Sequence, residues 1–87
     1  MQIQIDSHTL KRAIERGTNE SEIMDVLVNG FEIPVKNKRK GKAKIYTFKK
    51  ERLGKYYEQK RVEVVYVIEN NVIITVTVYV FYGMWKD

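Results

Sequence analysis

At 87 residues the chain is long enough for one core, which buries only about 60% of the unfolded surface, and its 44% hydrophobic content with five glycines and one proline marks a globular domain rather than a disordered one. It has no cysteine, which excludes a disulfide framework, thiol catalysis and thiolate metal sites. The net charge of +5 is unevenly spread: residues 36–61 hold twelve of the sixteen Lys and Arg but only two acids, Glu51 and Glu58, a local +10 against −5 elsewhere, and such a surface suits phosphate or an acidic polypeptide.

Residues 2–5 alternate and read as an edge strand or as the lead-in to a helix. They have neither the basic leader nor the apolar segment of a signal peptide. The longest apolar tract, residues 72–81, is broken by threonines and too short to span a bilayer, so the expected setting is cytoplasmic, with no membrane partner. Asp6 or Ser7 is a suitable N-cap, Leu10, Ala13 and Ile14 supply an apolar stripe, and Gly17 supplies the C′ position, predicting a helix over Ser7–Arg16. Asn19 followed by Glu22 resembles a capping box. Ile23, Val26 and Leu27 give the inner face of a second helix ending near Asn29 and Gly30, and the short connection predicts an antiparallel helix pair.

Phe31, Ile33 and Val35 alternate, but Pro34 lacks a ladder donor, which places that strand at a sheet edge. Residues 36–42 read as a solvated basic loop contributing nonspecific steering, and residues 43–48 as a further strand. Residues 49–60 are polar, contain Gly54, Tyr56 and Tyr57, and read as a turn. In residues 61–81 two strands alternate around Asn70-Asn71, an Asn pair being suited to a two-residue primed turn with Glu69 opposite Val72. Strict alternation puts Val62, Val64, Tyr66 and Ile68, then Val72, Ile74, Val76, Val78 and Val80, on the helix-facing side, leaving Thr75, Thr77 and Tyr79 on the other. Trp85 is expected to pack its ring near the end of the chain. The predicted fold class is α+β, with two N-terminal helices on one face of a roughly four-stranded antiparallel sheet.

Elimination narrows the chemistry. One histidine, no cysteine and two serines near helix starts offer no persuasive Ser-His-Asp or Cys-His set. His8 and Asp6 with scattered carboxylates make a poor metal site, and no phosphate-loop or dinucleotide fingerprint is present. No cofactor is expected. RNA cleavage by the substrate's own 2′-hydroxyl asks only for alignment, proton transfer and cationic stabilisation, which His, Arg, Lys and Tyr supply. Tyr residues among cations also suit unpaired bases.

His8, Arg12 and Arg16, spaced i, i+4, i+8, share one side of the first helix. They form a cationic line beside the sheet, or alternatively cap and pair locally, with Arg12 meeting Glu22 or Asp25. The candidate catalytic set is therefore His8, Arg12, Arg16, Lys44 and Tyr79. The candidate RNA-binding set is Lys42, Tyr46, Lys60, Arg61, Thr77 and Tyr82. Tyr66, alternating with Val62 and Val64, reads as core.

Residues 7–17 (SHTLKRAIERG), the Glu20-Ser21-Glu22-Ile23 helix start, residues 73–79 (IITVTVY) and Trp85 together resemble a family of small prokaryotic proteins. That family is related to the BrnT-type toxins and more distantly to the RelE/ParE-like superfamily. The resemblance covers nearly the whole chain and implies one toxin-like domain over residues 1–87, a RelE-like fold, and metal-independent ribonuclease activity that blocks translation. It implies RNA, a cognate antitoxin and the ribosome as partners. It also implies that Lys44, Lys60 or Arg61 supply the strand cations, and Tyr79 or Tyr82 the late aromatic. The last strand lacks the arginine usual there, which transfers charge stabilisation to Arg12, Arg16 or the earlier strands. Superfamily members also include toxins directed at gyrase rather than RNA, so a toxin of this kind need not be a nuclease, and a non-catalytic RNA-binding or protein-binding module on the same scaffold is the alternative.

Overall fold

The computed structural model describes residues 1–85. In chain order the elements are β1 (Gln2–Gln4), α1 (Ser7–Arg16), α2 (Glu20–Asn29), β2 (Phe31–Ile33), β3 (Lys40–Arg52), β4 (Lys55–Glu69) and β5 (Val72–Gly83). Both helices begin where their caps predict. The Asp6 carboxylate accepts the His8 N–H at 3.1 Å, and the Asn19 side chain accepts the Glu22 N–H at 2.9 Å. Gly17 closes α1 at φ 94°, its N–H reaching the carbonyls of Ala13 and Ile14, a conformation that a side chain opposes.

The five strands form one sheet in the order β1-β5-β4-β3-β2. It is mixed, because β1 runs parallel to β5 with Gln2 opposite Val72, whereas the other pairings are antiparallel. This corrects the four-stranded antiparallel expectation: a fifth strand precedes the helices. The alternation of residues 2–5 offers an edge strand as one of its two readings, and β1 does lie at a sheet edge; its parallel pairing arises only when α1 folds back along β5. Pro34 follows β2, which lies at the edge as expected.

Asn70 and Asn71 adopt φ 50° and 65°, joining β4 to β5 with Glu69 opposite Val72. A second two-residue turn, Leu53 and Gly54 at φ 53° and 81°, joins β3 to β4. Residues 49–60 are therefore the outer half of a long hairpin rather than a turn. The polar alternation of that arm conceals it from a hydrophobic reading, since little of it is buried. The β3 ladder takes up an extra residue between Thr47 and Lys50, beside Lys49 at φ 49°.

A second irregularity sets the faces of β5. Tyr66 pairs with Thr75 and Val65 with Thr77, leaving Val76 unmatched, a bulge that breaks the two-residue period. Val78 is consequently inside, as predicted, but toward the turn Ile73 rather than Ile74 packs on the core. Thr75, expected on the open face, is instead buried under α1. Its hydroxyl oxygen accepts the Asp6 N–H at 2.9 Å and its proton goes to Thr9 Oγ1 at 3.1 Å.

α1 packs on β5, and α2 on β3 and β4. Ala13, Ile23, Val26, Leu27, Val62, Val64, Tyr66 and Val78 make the buried core, flanked by Ile3, Ile5, Leu10 and Val80. Each fully buried Val or Ile contributes about 1.5–3 kcal/mol relative to exposure. Ile14 is 75% exposed, so the stripe of α1 is displaced from the predicted one toward Thr9 and Ala13. Ile68, at the turn end of β4, is likewise exposed. Trp85 lays its ring within 3.7 Å of the position a Cβ would take at Gly83, and its main-chain N–H donates to Gln59 Oε1 at 2.6 Å. No helix among the described residues is long and apolar enough to cross a membrane.

Candidate functional site

Because β1 pairs only with Val72, Ile73 and Ile74, the rest of β5 has one edge without a strand, and α1 runs beside it. The i, i+4, i+8 row of α1 meets the outward residues of β5 there. His8, Arg12, Arg16, Val76, Thr77 and Tyr79 line an open cleft of about 310 Å³. Four of the five predicted catalytic residues, with Thr77 from the predicted binding set, thus converge from opposite ends of the sequence.

Arg16 is the most constrained member. Its Nη1 donates to the Val78 carbonyl at 2.5 Å, and its guanidinium carbon lies 5.3 Å from the centroid of the Tyr79 ring. The bond to Val78 commits one of its five N–H donors, so others remain for an anion. Tyr79 in turn stacks with Phe81, centroids 6.4 Å apart at 28°, and is 42% exposed. His8 and Arg12 are exposed, and among the described residues no carboxylate forms an ion pair with either. The alternative pairing of Arg12 with Glu22 or Asp25 is not formed, since those carboxylates bind Lys60 and Lys44.

Thr77 and Tyr79 also belong to a second, smaller cleft of about 190 Å³ on their far side, with Val35, Lys36, Asn37, Arg39 and Val65. The basic loop following β2 thus lies across the open face of the sheet, where Asn37 and Lys38 adopt positive φ. Sequence reasoning missed this placement. The loop's charge was visible, but its direction depends on β2 pairing with β3.

The remaining candidates are elsewhere. Lys44 donates to Asp25 at 2.6 Å, and Tyr46 Oη donates to the same carboxylate oxygen at 2.6 Å. Those hydrogen bonds, the Lys44 one foremost, hold the Asp25 carboxyl well below the usual carboxylate range. Burial, and then the bond to Asp25, pushes the Tyr46 phenol above its ordinary range. Lys42 Nζ donates to the Leu27 carbonyl at 2.9 Å. Lys44, Tyr46 and Lys42 therefore hold α2 to the sheet, and Lys44 is not part of the cleft.

At the end of α1, Lys60 Nζ donates to the Gly17 carbonyl at 2.9 Å and pairs with Glu22 at 2.7 Å. Tyr82 Oη donates to the Arg16 carbonyl at 2.7 Å, and Arg52 Nη2 to that of Glu15 at 3.0 Å. Three strands thus satisfy the terminal carbonyls of one helix, and two of the three donors are cations suited to its negative end. Burial raises the Tyr82 phenol, with Arg52 opposing. The sequence offered no signal for Arg52 beyond its charge. Arg61 lies on the open face, pairing with Glu63 at 2.8 Å and standing 5.2 Å from the Phe31 ring centroid.

The cleft combines two guanidiniums, one imidazole, a hydroxyl and an aromatic ring around an open floor, groups whose chemistry is compatible with an anion and a planar ring. No curated protein and no solved structure matches the chain. A family match does run from residue 5 to residue 80, taking in every residue that lines the cleft. The chain belongs to the family described as a domain of unknown function, DUF4258.

Proposed function

We propose that the chain is a metal-independent endoribonuclease acting as the toxin of a toxin–antitoxin pair, with the α1–β5 cleft as its site. The observation that carries this reading is the convergence of His8, Arg12 and Arg16 with Thr77 and Tyr79 on one open surface. Arg12 and Arg16 bind the scissile phosphate and stabilise the charge gathering on its nonbridging oxygens, helped by the Thr77 hydroxyl. His8 accepts the proton of the 2′-hydroxyl as its oxygen forms a bond to phosphorus, and solvent protonates the departing 5′-oxygen. The products are a 2′,3′-cyclic phosphate and a 5′-hydroxyl. Tyr79 stacks on an unpaired base, which favours single-stranded RNA. Inhibition of translation, with or without the ribosome as platform, and neutralisation by an antitoxin covering the cations complete the proposal.

The test is purified chain, freed of any partner, incubated with RNA in chelator, with and without ribosomes. Cleavage leaving cyclic phosphate ends, lost in His8→Gln and Arg12→Gln, supports it. Intact RNA together with unslowed growth on expression overturns it. Non-catalytic RNA binding is the second reading, favoured by the single proton-transferring imidazole of a cleft that has no carboxylate in its lining. Salt-sensitive binding without cleavage selects it.

A further inference from the structure

Resting on the RNA-binding part of that reading, we infer that the bound strand crosses the open sheet face from the α1 cations to the Lys36–Arg39 loop, with Tyr79 midway as its base platform. Thr77 and Tyr79 line both the cleft carrying Arg12 and Arg16 and the cleft carrying Lys36 and Arg39. The two therefore form one groove with a cationic wall at each side and an aromatic ring on its floor. A single phosphate needs only one wall. Two walls separated by an exposed ring match successive phosphates flanking an unstacked base, the repeating chemistry of single-stranded nucleic acid.

The alternative occupant, an acidic polypeptide, uses the same cations but has no need of the ring. Lys36 and Arg39 are exposed, and among the described residues neither forms an ion pair. Val65, only 7% exposed, lines the groove on the side of the loop. The basic loop thereby gains a specific role, as the second phosphate contact of a site whose first is on a helix.

The experiment measures binding of 2′-O-methyl oligouridylates of one to six nucleotides, which cannot be cleaved, across a range of salt. Lys36→Gln/Arg39→Gln is expected to weaken the longer oligomers but not the mononucleotide, and to lower the salt slope by about 0.7, the value for one phosphate contact on a single strand. Tyr79→Leu is expected to weaken the oligomers by at least about fivefold, within the range for loss of one stacked base, with Tyr79→Phe close to wild type. If Arg12→Gln weakens binding while the loop double variant leaves affinity and slope unchanged, the crossing path is wrong and the α1–β5 reading stands. If the wild type binds no oligomer, both fall. If a polyglutamate peptide displaces the oligomers and Tyr79→Leu binds them like wild type, the occupant is an acidic polypeptide and the inference is overturned.

Discussion

The phenol of Tyr82 donates to the main-chain carbonyl of Arg16 across 2.7 Å, so the helix turn that carries one cation of the cleft is tied to the strand that carries its aromatic floor. Tyr82→Phe removes that bond and is expected to cost about 1 kcal/mol, read as a lowered urea midpoint. The burial of this phenol also makes stability sensitive to alkali. Burial raises the phenols of Tyr82 and Tyr46, so their contribution is full below the unfolded value of about 10 and is lost as pH climbs through the higher folded values. The double variant Tyr46→Phe/Tyr82→Phe should therefore lose less stability than wild type between about pH 9 and about pH 11. Equal losses would refute the assignment.

Asp25 accepts hydrogen bonds from Lys44, Tyr46 and Asn29, and its depressed carboxyl gives the opposite sign. Its stabilising contribution is present above the unfolded value of about 3.9 and disappears as pH falls below it toward the lower folded value. Asp25→Asn is expected to melt below wild type at neutral pH, with the gap narrowing in acid. Thermal melts from neutral pH down to about pH 2 check this, and a gap that persists unchanged in acid would count against it.

Thr75→Val keeps the shape beneath α1 but leaves the Asp6 N–H without its acceptor. The expected loss is about 1–3 kcal/mol, with Thr75→Ser near wild type, both from urea unfolding. A valine variant as stable as wild type would mean that solvent reaches that N–H.

For the cleft, His8→Gln is expected to slow cleavage by about 10²–10⁴ and Arg12→Gln by about 10²–10³, in single-turnover assays. Both side chains are exposed, so the fold, followed by circular dichroism, should be unchanged. Lys44→Gln should instead lower stability and leave the single-turnover rate near wild type. The reverse pattern, a dead but stable Lys44 variant beside active His8 and Arg12 variants, would move the chemistry away from α1.

Signals that sit in a few adjacent residues were legible. Asn19, Gly17 and the Asn70-Asn71 pair act through their own backbone angles and first neighbours, and the helix row of His8, Arg12 and Arg16 follows from helical spacing alone. What escaped the sequence depends on distant partners. Lys60, Tyr82 and Arg52 look like free surface groups until the end of α1 arrives above them. Leu53-Gly54 lacks the polar pair that announces a primed turn, and its hairpin arm buries too little to show a hydrophobic period. Val76 belongs to an unbroken alternation, and only its pairing with β4 exposes it as a surplus residue.

That surplus has a consequence for how the chain tolerates changes of length. Val76 is unmatched between the Val65–Thr77 and Tyr66–Thr75 pairs, so a chain shortened by that residue keeps both pairs and sends every side chain of β5 to the same side as before. Shortening the strand at Val78 instead would invert everything beyond it. Val76 is thus a spare link in the middle of a sheet. Its contribution is the added local twist of a bulge, beside the row of cations that Thr77 and Tyr79 face.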